Sequence, residues 1–191
     1  MSYSPELYPQ LMQHGFSRFA GTFADGQAAD NKLELDHRSL SQNQNLLTTV
    51  VANICELAEP YHPDFVIGVP NGATNLAVAV AKNMRQEVYS PHLAKDDATK
   101  LIDYKTEADR DMIAFLGRGI LIEDVLNRRR TTRKVLQLAE LGPKICAVIG
   151  VFDRSVPAER LPVDKPTHAL VHQKIPATIG NKNSRFWRYA L

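Results

Sequence analysis

Residues 119–142 read GILIEDVLNRRRTTRKVLQLAELG, and this stretch decides the fold. Its apolar opening is typical of a strand buried on both faces of a parallel sheet. Glu123 and Asp124 follow, and a polar loop leads into a helix predicted over 131–141, which Gly142-Pro143 would end. Adjacent carboxylates at the end of a buried strand need partners. Ribose hydroxyls or hydrated Mg²⁺ are suitable partners, and neighbouring arginines are the plain alternative.

Two more apolar runs, over 65–69 and 145–152, predict further buried strands. Helical spacing of apolar residues predicts helices over 43–59 and 73–84. Strands that alternate with helices through short links favour a doubly wound parallel sheet, and right-handed crossovers place helices on both of its faces. We therefore predict an α/β fold with one main sheet.

The rest of the chain is less regular. Residues 4–15 suggest a short first helix, with Ser4 as its N-cap, Pro5 at its first position and Gly15 as its stop. Residues 17–36 suggest a hairpin or hood-like element around Asp25-Gly26. After a short strand near 87–90, residues 93–112 form a long polar stretch, which is usually either functional or disordered.

We interpret all 191 residues as a single domain with a small N-terminal hood over about 1–38, a core over about 40–155 and a C-terminal extension over about 156–191. That extension ends in a basic, aromatic segment over 185–189.

Composition narrows the class of protein. A net charge of +2 gives no general attraction to nucleic acid or to a membrane, so a basic site has to be local. Neither a secretory signal nor an apolar run long enough to span a bilayer is evident, which predicts a cytoplasmic protein. Cys55 and Cys146 match no metal-binding spacing and are expected to be reduced and buried.

Ligands of open parallel sheets bind beyond the carboxyl ends of the strands, where three segments of this chain would meet. One contains Glu123 and Asp124. Another is the glycine-containing turn over 68–74, whose alternative interpretation is a plain strand-to-helix turn. The third is Asp153-Arg154, where Arg154 either grips a carboxylate or planar base or forms a surface ion pair.

These segments together resemble the type I phosphoribosyltransferase family, and most closely its orotate branch. The family signature is a hydrophobic strand, two acids, two aliphatic residues and a Thr/Gly/Ser-rich loop before a helix, and residues 119–142 align with it without a gap. GVPNGATNLAVAVA over 68–81 resembles the pyrophosphate loop, and VIGVFDR over 148–154 resembles a late strand of the orotate branch.

The resemblance implies transfer of ribose 5-phosphate from phosphoribosyl pyrophosphate (PRPP) to a pyrimidine-like base such as orotate, with release of pyrophosphate. Glu123 and Asp124 would bind the ribose hydroxyls. Mg²⁺ would be bound mainly through the substrate, with Asp124 as an optional ligand, and the protein would be a homodimer.

The resemblance also assigns the remaining site residues. Residues 93–112 would form a mobile flap that contributes a catalytic lysine, either Lys95 or Lys100. The base would lie near Arg154, Phe23 and Lys32. The 5′-phosphate would be held by Asn127, Arg128, Arg129, Arg130, Thr131 and Thr132, and the pyrophosphate by Gly68, Val69, Pro70, Asn71 and Gly72.

The phosphate loop, residues 127–132, departs from the family pattern Thr-Thr-Gly-Gly-Ser-Thr because Arg129 and Arg130 occupy its two glycine positions. Arginine is strained where glycine permits positive φ. Either the arginines bind phosphate through their side chains, or the loop has a new shape. The alternative function is therefore a non-catalytic protein that binds a nucleotide or another phosphorylated ligand in a regulatory role. Nucleic-acid binding through the basic residues is a weaker third possibility.

Overall fold

The computed structural model describes residues 7–13, 17–20, 29–30, 32–35, 43–70, 72–84, 89–96, 98–99, 101–155, 160–172 and 178–179. The helices are α1 (Leu7–Gln13), α2 (Gln44–Ala58), α3 (Thr74–Asn83), α4 (Glu107–Phe115) and α5 (Arg130–Leu136). The strands are β1 (Ser17–Ala20), β2 (Ala29–Asp30), β3 (Lys32–Leu35), β4 (Phe65–Gly68), β5 (Leu93–Lys95), β6 (Ile102–Tyr104), β7 (Gly119–Leu126), β8 (Ile145–Asp153), β9 (Thr167–His172) and β10 (Thr178–Ile179).

A four-stranded parallel sheet forms the core, in the order β4-β7-β8-β9. Residues of its strands contribute to two buried clusters. One cluster contains apolar residues of α1, α2 and α3, and the other contains residues of β5, β6, α4 and α5. Both faces of the sheet are therefore covered, which confirms the predicted α/β architecture.

Local signals explain several element boundaries. The Asn43 side chain caps α2 by accepting a 3.2 Å hydrogen bond from the Leu46 amide, and α2 gives way at Glu59–Tyr61 to a 3₁₀ turn that contains Pro60. Helix α5 ends at Leu136, so the prediction of a helix over 131–141 was wrong at its C-terminal end. The chain folds back there: a Cβ on Gly142 would lie 1.9 Å from the Leu136 carbonyl oxygen.

The polar stretch has more structure than its composition suggested. Strands β5 and β6 pair as an antiparallel hairpin, and α4 follows with Thr106 as its N-cap. The hairpin and α4 are seated on the core by the buried side chains of Leu93, Ile102 and Ile113. Each of these short elements has one buried apolar residue, and this pattern was too sparse for the elements to be recognised from the sequence.

The main sheet also extends beyond residue 155. Strand β9 pairs in parallel with β8, and its Ala169, Leu170 and Val171 are buried, although the sequence placed them in an extension outside the core. At the other edge, Tyr89 forms an isolated parallel bridge to Phe65 where a short strand near 87–90 was predicted.

In the N-terminal part, β1 pairs with β3 in antiparallel fashion, which agrees with the hairpin predicted over 17–36, and β10 pairs with β2. Ser4, Pro5, Gly15, the Asp25-Gly26 turn and the segment 185–189 lie outside the described residues. Within the described part of the chain, no helix is long and apolar enough to cross a membrane.

Candidate active site

The carboxyl ends of β4 and β7 bring two of the predicted site segments together. Gly68 is level with Ile122 in the parallel register, and the Val69 amide continues the ladder with a 2.8 Å hydrogen bond to the Ile122 carbonyl oxygen. The turn after β4 therefore lies beside Glu123 and Asp124. These two acids are in β7 itself, which runs on to Leu126, and not beyond its end as the sequence suggested.

Both glycines of this turn are in close contact with their surroundings. A Cβ on Gly68 would lie 2.4 Å from the backbone oxygen of Ala73, so the tight turn into α3 leaves no room for a side chain. A Cβ on Gly72 would lie 2.6 Å from Oδ1 of Asp124. The missing side chain at residue 72 thus allows the turn to pack directly against the Asp124 carboxylate.

The two acids have different environments. Glu123 is 8% exposed, and Thr132, itself fully buried, donates a short hydrogen bond to its Oε2. Desolvation raises the pKa of Glu123 from 4.5 to about 8, and the charge of Asp124 adds to this; the Thr132 hydrogen bond and the charge of Lys95 act in the opposite direction. Glu123 is therefore mainly protonated at neutral pH.

Asp124 is the more accessible acid. It is half-buried, and its Oδ1 accepts a 2.8 Å hydrogen bond from the Val125 amide. Because Glu123 is buried and bonded to Thr132, Asp124 is the better placed of the two to accept hydrogen bonds from a ligand at the surface.

A cavity of about 260 Å³ opens beside Gly72 and is called the crevice below. It lies between the start of α3 and the hairpin, and its lining residues are Gly72, Thr74, Asn75, Leu93, Ala94, Lys95 and Lys105. Lys95 was predicted from the sequence. Thr74 is the last residue of the predicted turn. Asn75, which directly follows that turn, and Lys105 were missed as site residues. Asn71 and Lys100 lie outside the described residues.

The phosphate loop connects β7 to α5. Arg129 has φ 58° and ψ 25°, so it keeps the left-handed backbone that glycine favours, at a cost of about 1–2 kcal/mol. Its side chain forms a buried ion pair, with 3.3 Å between Nη2 and Oδ2 of Asp153. Arg128 and Arg130 are exposed, so the three consecutive arginines do not form one exposed basic patch.

A second cavity, of about 430 Å³, lies beside Arg129 and is called the groove below. Its lining residues are Arg129, Arg160, Leu161, Pro162, Val163, Lys165 and Thr167. Arg129 lines this groove and is not among the residues that line the crevice.

Of the three residues predicted near a base, the structure describes the surroundings of the Arg154 side chain alone. Arg154 is 1% exposed at the end of β8, and its amide donates a 3.0 Å hydrogen bond to the Leu126 carbonyl oxygen. Its burial is incompatible with the alternative of a surface ion pair. Lys32 lies in β3 opposite Ala20, and Phe23 lies outside the described residues. Base contact by these three residues stays a prediction.

A bound Mg²⁺ would need few protein ligands here. Among the residues that the structure describes, no group of three or more His, Cys, Asp or Glu side chains could hold a metal ion. Mg²⁺ is commonly held by one or two carboxylates together with water and substrate phosphates. Asp124 is suited to that role, whereas the protonated, Thr132-bonded Glu123 is not. The residues therefore fit an ion carried mainly by substrate oxygens.

Comparison with known proteins gives structural similarity without close sequence similarity. No protein-family model and no curated protein matches the chain. Orotate phosphoribosyltransferase from Aeropyrum pernix is similar with a TM-score of 0.62 and 14% identity, over 88% of this chain and 94% of that chain. Adenine phosphoribosyltransferase from Rhodothermus marinus is similar with a TM-score of 0.63 and 14% identity, over 88% of this chain and 99% of that chain.

UMP synthase from Leishmania donovani is similar with a TM-score of 0.59 and 17% identity, over 87% of this chain. Only 36% of that longer protein is covered, so this chain spans about a third of it. Together with the parallel sheet and the turn after β4, these similarities show that the chain has the fold of the type I phosphoribosyltransferases.

Proposed function

We propose that the protein is a phosphoribosyltransferase that transfers ribose 5-phosphate from PRPP to a pyrimidine-like base such as orotate. The observation that carries this proposal is the packing of Gly72, which lines the crevice together with Lys95 and Lys105, against the Asp124 carboxylate. A carboxylate that could accept hydrogen bonds from ribose hydroxyls near two cations suited to a pyrophosphate supports the proposal.

Ribosyl transfer breaks the bond between ribose C1 and the pyrophosphate oxygen, and the bond electrons leave with pyrophosphate. A base nitrogen forms the new bond to C1, which is positively charged in the transition state, and the proton of that nitrogen is released to water or to the departing pyrophosphate. Lys95 and Lys105 would stabilise the leaving pyrophosphate, and Asp124 would orient the ribose. Bound Mg²⁺ would neutralise further charge on the pyrophosphate oxygens, with Asp124 as an optional protein ligand.

The pyrimidine assignment rests on the resemblance of residues 68–81 and 148–154 to the orotate branch. The fold alone does not favour it, because the Rhodothermus adenine enzyme is as similar in structure as the Aeropyrum orotate enzyme. We therefore propose to measure pyrophosphate release with PRPP and each of orotate, uracil, adenine, guanine and hypoxanthine. Turnover with orotate alone supports the proposal. Turnover with purines alone contradicts the pyrimidine assignment and means that the substrate is a purine base.

The first test is calorimetric titration of PRPP with and without Mg²⁺. We expect micromolar binding that Asp124→Asn weakens at least 100-fold, because the variant loses the carboxylate charge at the ribose position. Asp111→Asn, an identical change on the exposed surface of α4, is the matched control and should bind normally. Unchanged binding in Asp124→Asn contradicts the role given to Asp124.

A second candidate function is binding of a nucleotide or another phosphorylated ligand without catalysis. The observation that favours it is the engagement of Glu123 with Thr132, which occupies one acid and one threonine of the motif. PRPP binding without pyrophosphate release for any base supports this candidate. We also propose that the protein is a homodimer, as the family resemblance implies, and multi-angle light scattering measures this directly.

A further inference from the structure

Arg129 has a backbone conformation that side chains normally avoid. Among the described residues other than glycine, Arg129 and His62 are the two with positive φ. The corresponding position of the family pattern is glycine, which adopts this conformation without strain. Arginine has no such freedom, so another interaction has to hold the phosphate loop in this shape.

The Arg129 side chain provides that interaction. It is 9% exposed, and Nη2 lies 3.3 Å from Oδ2 of Asp153, which is 8% exposed. Removing one partner of a buried ion pair leaves the other charge uncompensated, so the pair strongly favours the conformation in which both are present. The backbone of residue 129 is thereby tied to the end of β8.

Asp153 is itself held in place. Its Oδ1 accepts a 2.9 Å hydrogen bond from the Ser155 amide and a short one from the Ser155 hydroxyl, and Oδ2 lies 3.9 Å from Nδ1 of His172 on β9. The loop has a second attachment, because the Arg128 carbonyl oxygen accepts a 3.2 Å hydrogen bond from the Leu161 amide. The carboxylate is therefore a fixed anchor on the sheet.

We propose that Arg129 is a positioning residue whose ion pair with Asp153 holds the phosphate loop in the shape that glycine gives to related loops. The same ion pair holds the guanidinium against the end of β8, and Arg129 is among the residues that line the groove and not among those that line the crevice. Residue 129 thus keeps the left-handed backbone that glycine favours through a side-chain anchor, without a glycine. The identity of the ligand rests on the proposed function, whereas the shape of the loop does not.

The test is a double-mutant cycle between Arg129→Gly and Asp153→Asn, measured as the dissociation constant of PRPP with Mg²⁺. We expect Asp153→Asn to weaken binding at least 10-fold when Arg129 is present, because the strained backbone is released. The same change should weaken binding less than threefold in the Arg129→Gly background, where glycine adopts positive φ unaided.

Two results overturn the proposal. An equal effect of Asp153→Asn in both backgrounds means that Asp153 acts through Ser155 or His172. A weakening by Arg129→Gly as large as that by Asp153→Asn, with no interaction between the two changes, means that the guanidinium binds the phosphate directly. If Asp153→Asn does not fold, Arg129→Met removes the other partner of the ion pair. This variant should also weaken PRPP binding at least 10-fold. Unchanged PRPP binding in Arg129→Met contradicts the role given to the ion pair.

Hydrogen–deuterium exchange without ligand separates this proposal from the proposed function. Amides of residues 128–133 should exchange at least 10-fold faster in Asp153→Asn than in the wild type, and at the wild-type rate in Asp164→Asn, an exposed aspartate beyond β8. Unchanged exchange in Asp153→Asn refutes the anchor even if PRPP binds. Accelerated exchange supports the anchor even if PRPP binds to none of the proteins, in which case only the proposed function fails.

Discussion

Glu123 and Asp124 are neighbours in sequence, yet the strand gives them opposite environments. Successive side chains of a strand point to opposite faces. Glu123 is buried against Thr132, and Asp124 lies beside Gly72 where the turn after β4 leaves it half-buried. Two adjacent acids in a sequence pattern therefore become a neutral internal group and an accessible carboxylate. The sequence predicts that both matter but not that they differ.

Stability should depend on pH through Glu123. Its pKa is about 8 in the folded protein against an ordinary 4.5, so the folded state holds a proton that the unfolded chain releases. The contribution of this group to stability is fully present below pH 4.5 and is lost as the pH rises through 8. At about 1.4 kcal/mol for each pKa unit, the whole loss is on the order of 5 kcal/mol.

Glu123→Gln should remove this dependence, because glutamine cannot ionise. Urea unfolding at pH 5, 7 and 9 gives the free energies of unfolding. The free energy of unfolding of the variant should increase relative to that of the wild type as the pH rises. Glu107→Gln, at an exposed position of α4, is the control and should track the wild type. Parallel pH curves for Glu123→Gln and the wild type contradict the assignment of a buried, protonated Glu123.

At the scale of elements, the sequence predicts those that bury long apolar runs. Strands β4, β7 and β8 have such runs, and α2 has clear helical spacing. The hairpin of β5 and β6 was not predicted, because its strands are three residues long and each has one buried side chain. Strand β9 escaped recognition because its buried residues, Ala169, Leu170 and Val171, make up a run of only three between two histidines.

Lys144 fixes the end of α4 to the core. Its Nζ donates hydrogen bonds to the carbonyl oxygens of Ala114 at 3.0 Å and Leu116 at 2.6 Å, and a short one to that of Ile113. These groups lie at the C-terminus of the helix, where carbonyl oxygens lack helical partners and a cation is favourable.

Lys144→Met should therefore destabilise the protein by about 1–3 kcal/mol, because charged hydrogen bonds are lost and carbonyl groups are left unpaired. Exchange of the α4 amides should accelerate more than that of the β7 amides. Lys82→Met, at an exposed position near the end of α3, is the matched control and should change the free energy of unfolding by less than about 0.5 kcal/mol. Equal losses in the two variants contradict the role given to Lys144.

At the scale of the molecule, the convergence of strand ends could be predicted and the course of individual side chains could not. A parallel sheet necessarily brings the segments after β4 and β7 to one edge, so the glycine turn and the acids were expected to meet. The position of the Arg129 side chain depends on its ion pair with Asp153, which is 24 residues away in sequence and at the end of another strand. No local pattern reports such a pairing, and both alternatives considered for the loop left it out.

The extent of the core is also a property of the whole molecule. The sequence places the C-terminal boundary of the core near residue 155, but β9 completes the sheet with side chains in both buried clusters. A chain that ends at residue 155 exposes the edge of β8 and the apolar side chains that pack against β9. We expect it not to fold, with no cooperative transition in circular dichroism or calorimetry.

The full-length variant Leu170→Ala provides the graded version of this experiment. Leu170 is 1% exposed, so its truncation should cost about 2–4 kcal/mol in urea unfolding, whereas Val163→Ala in the half-buried connection before β9 should cost less than about 1.5 kcal/mol. If the shortened chain unfolds cooperatively and Leu170→Ala has a small effect, the prediction is contradicted and the core ends near residue 155. Failure of the shortened chain to fold, together with a large effect of Leu170→Ala, makes β9 an integral part of the sheet. Asp153 at the end of β8 then lies between two integral strands, β7 and β9, and not at the edge of the sheet.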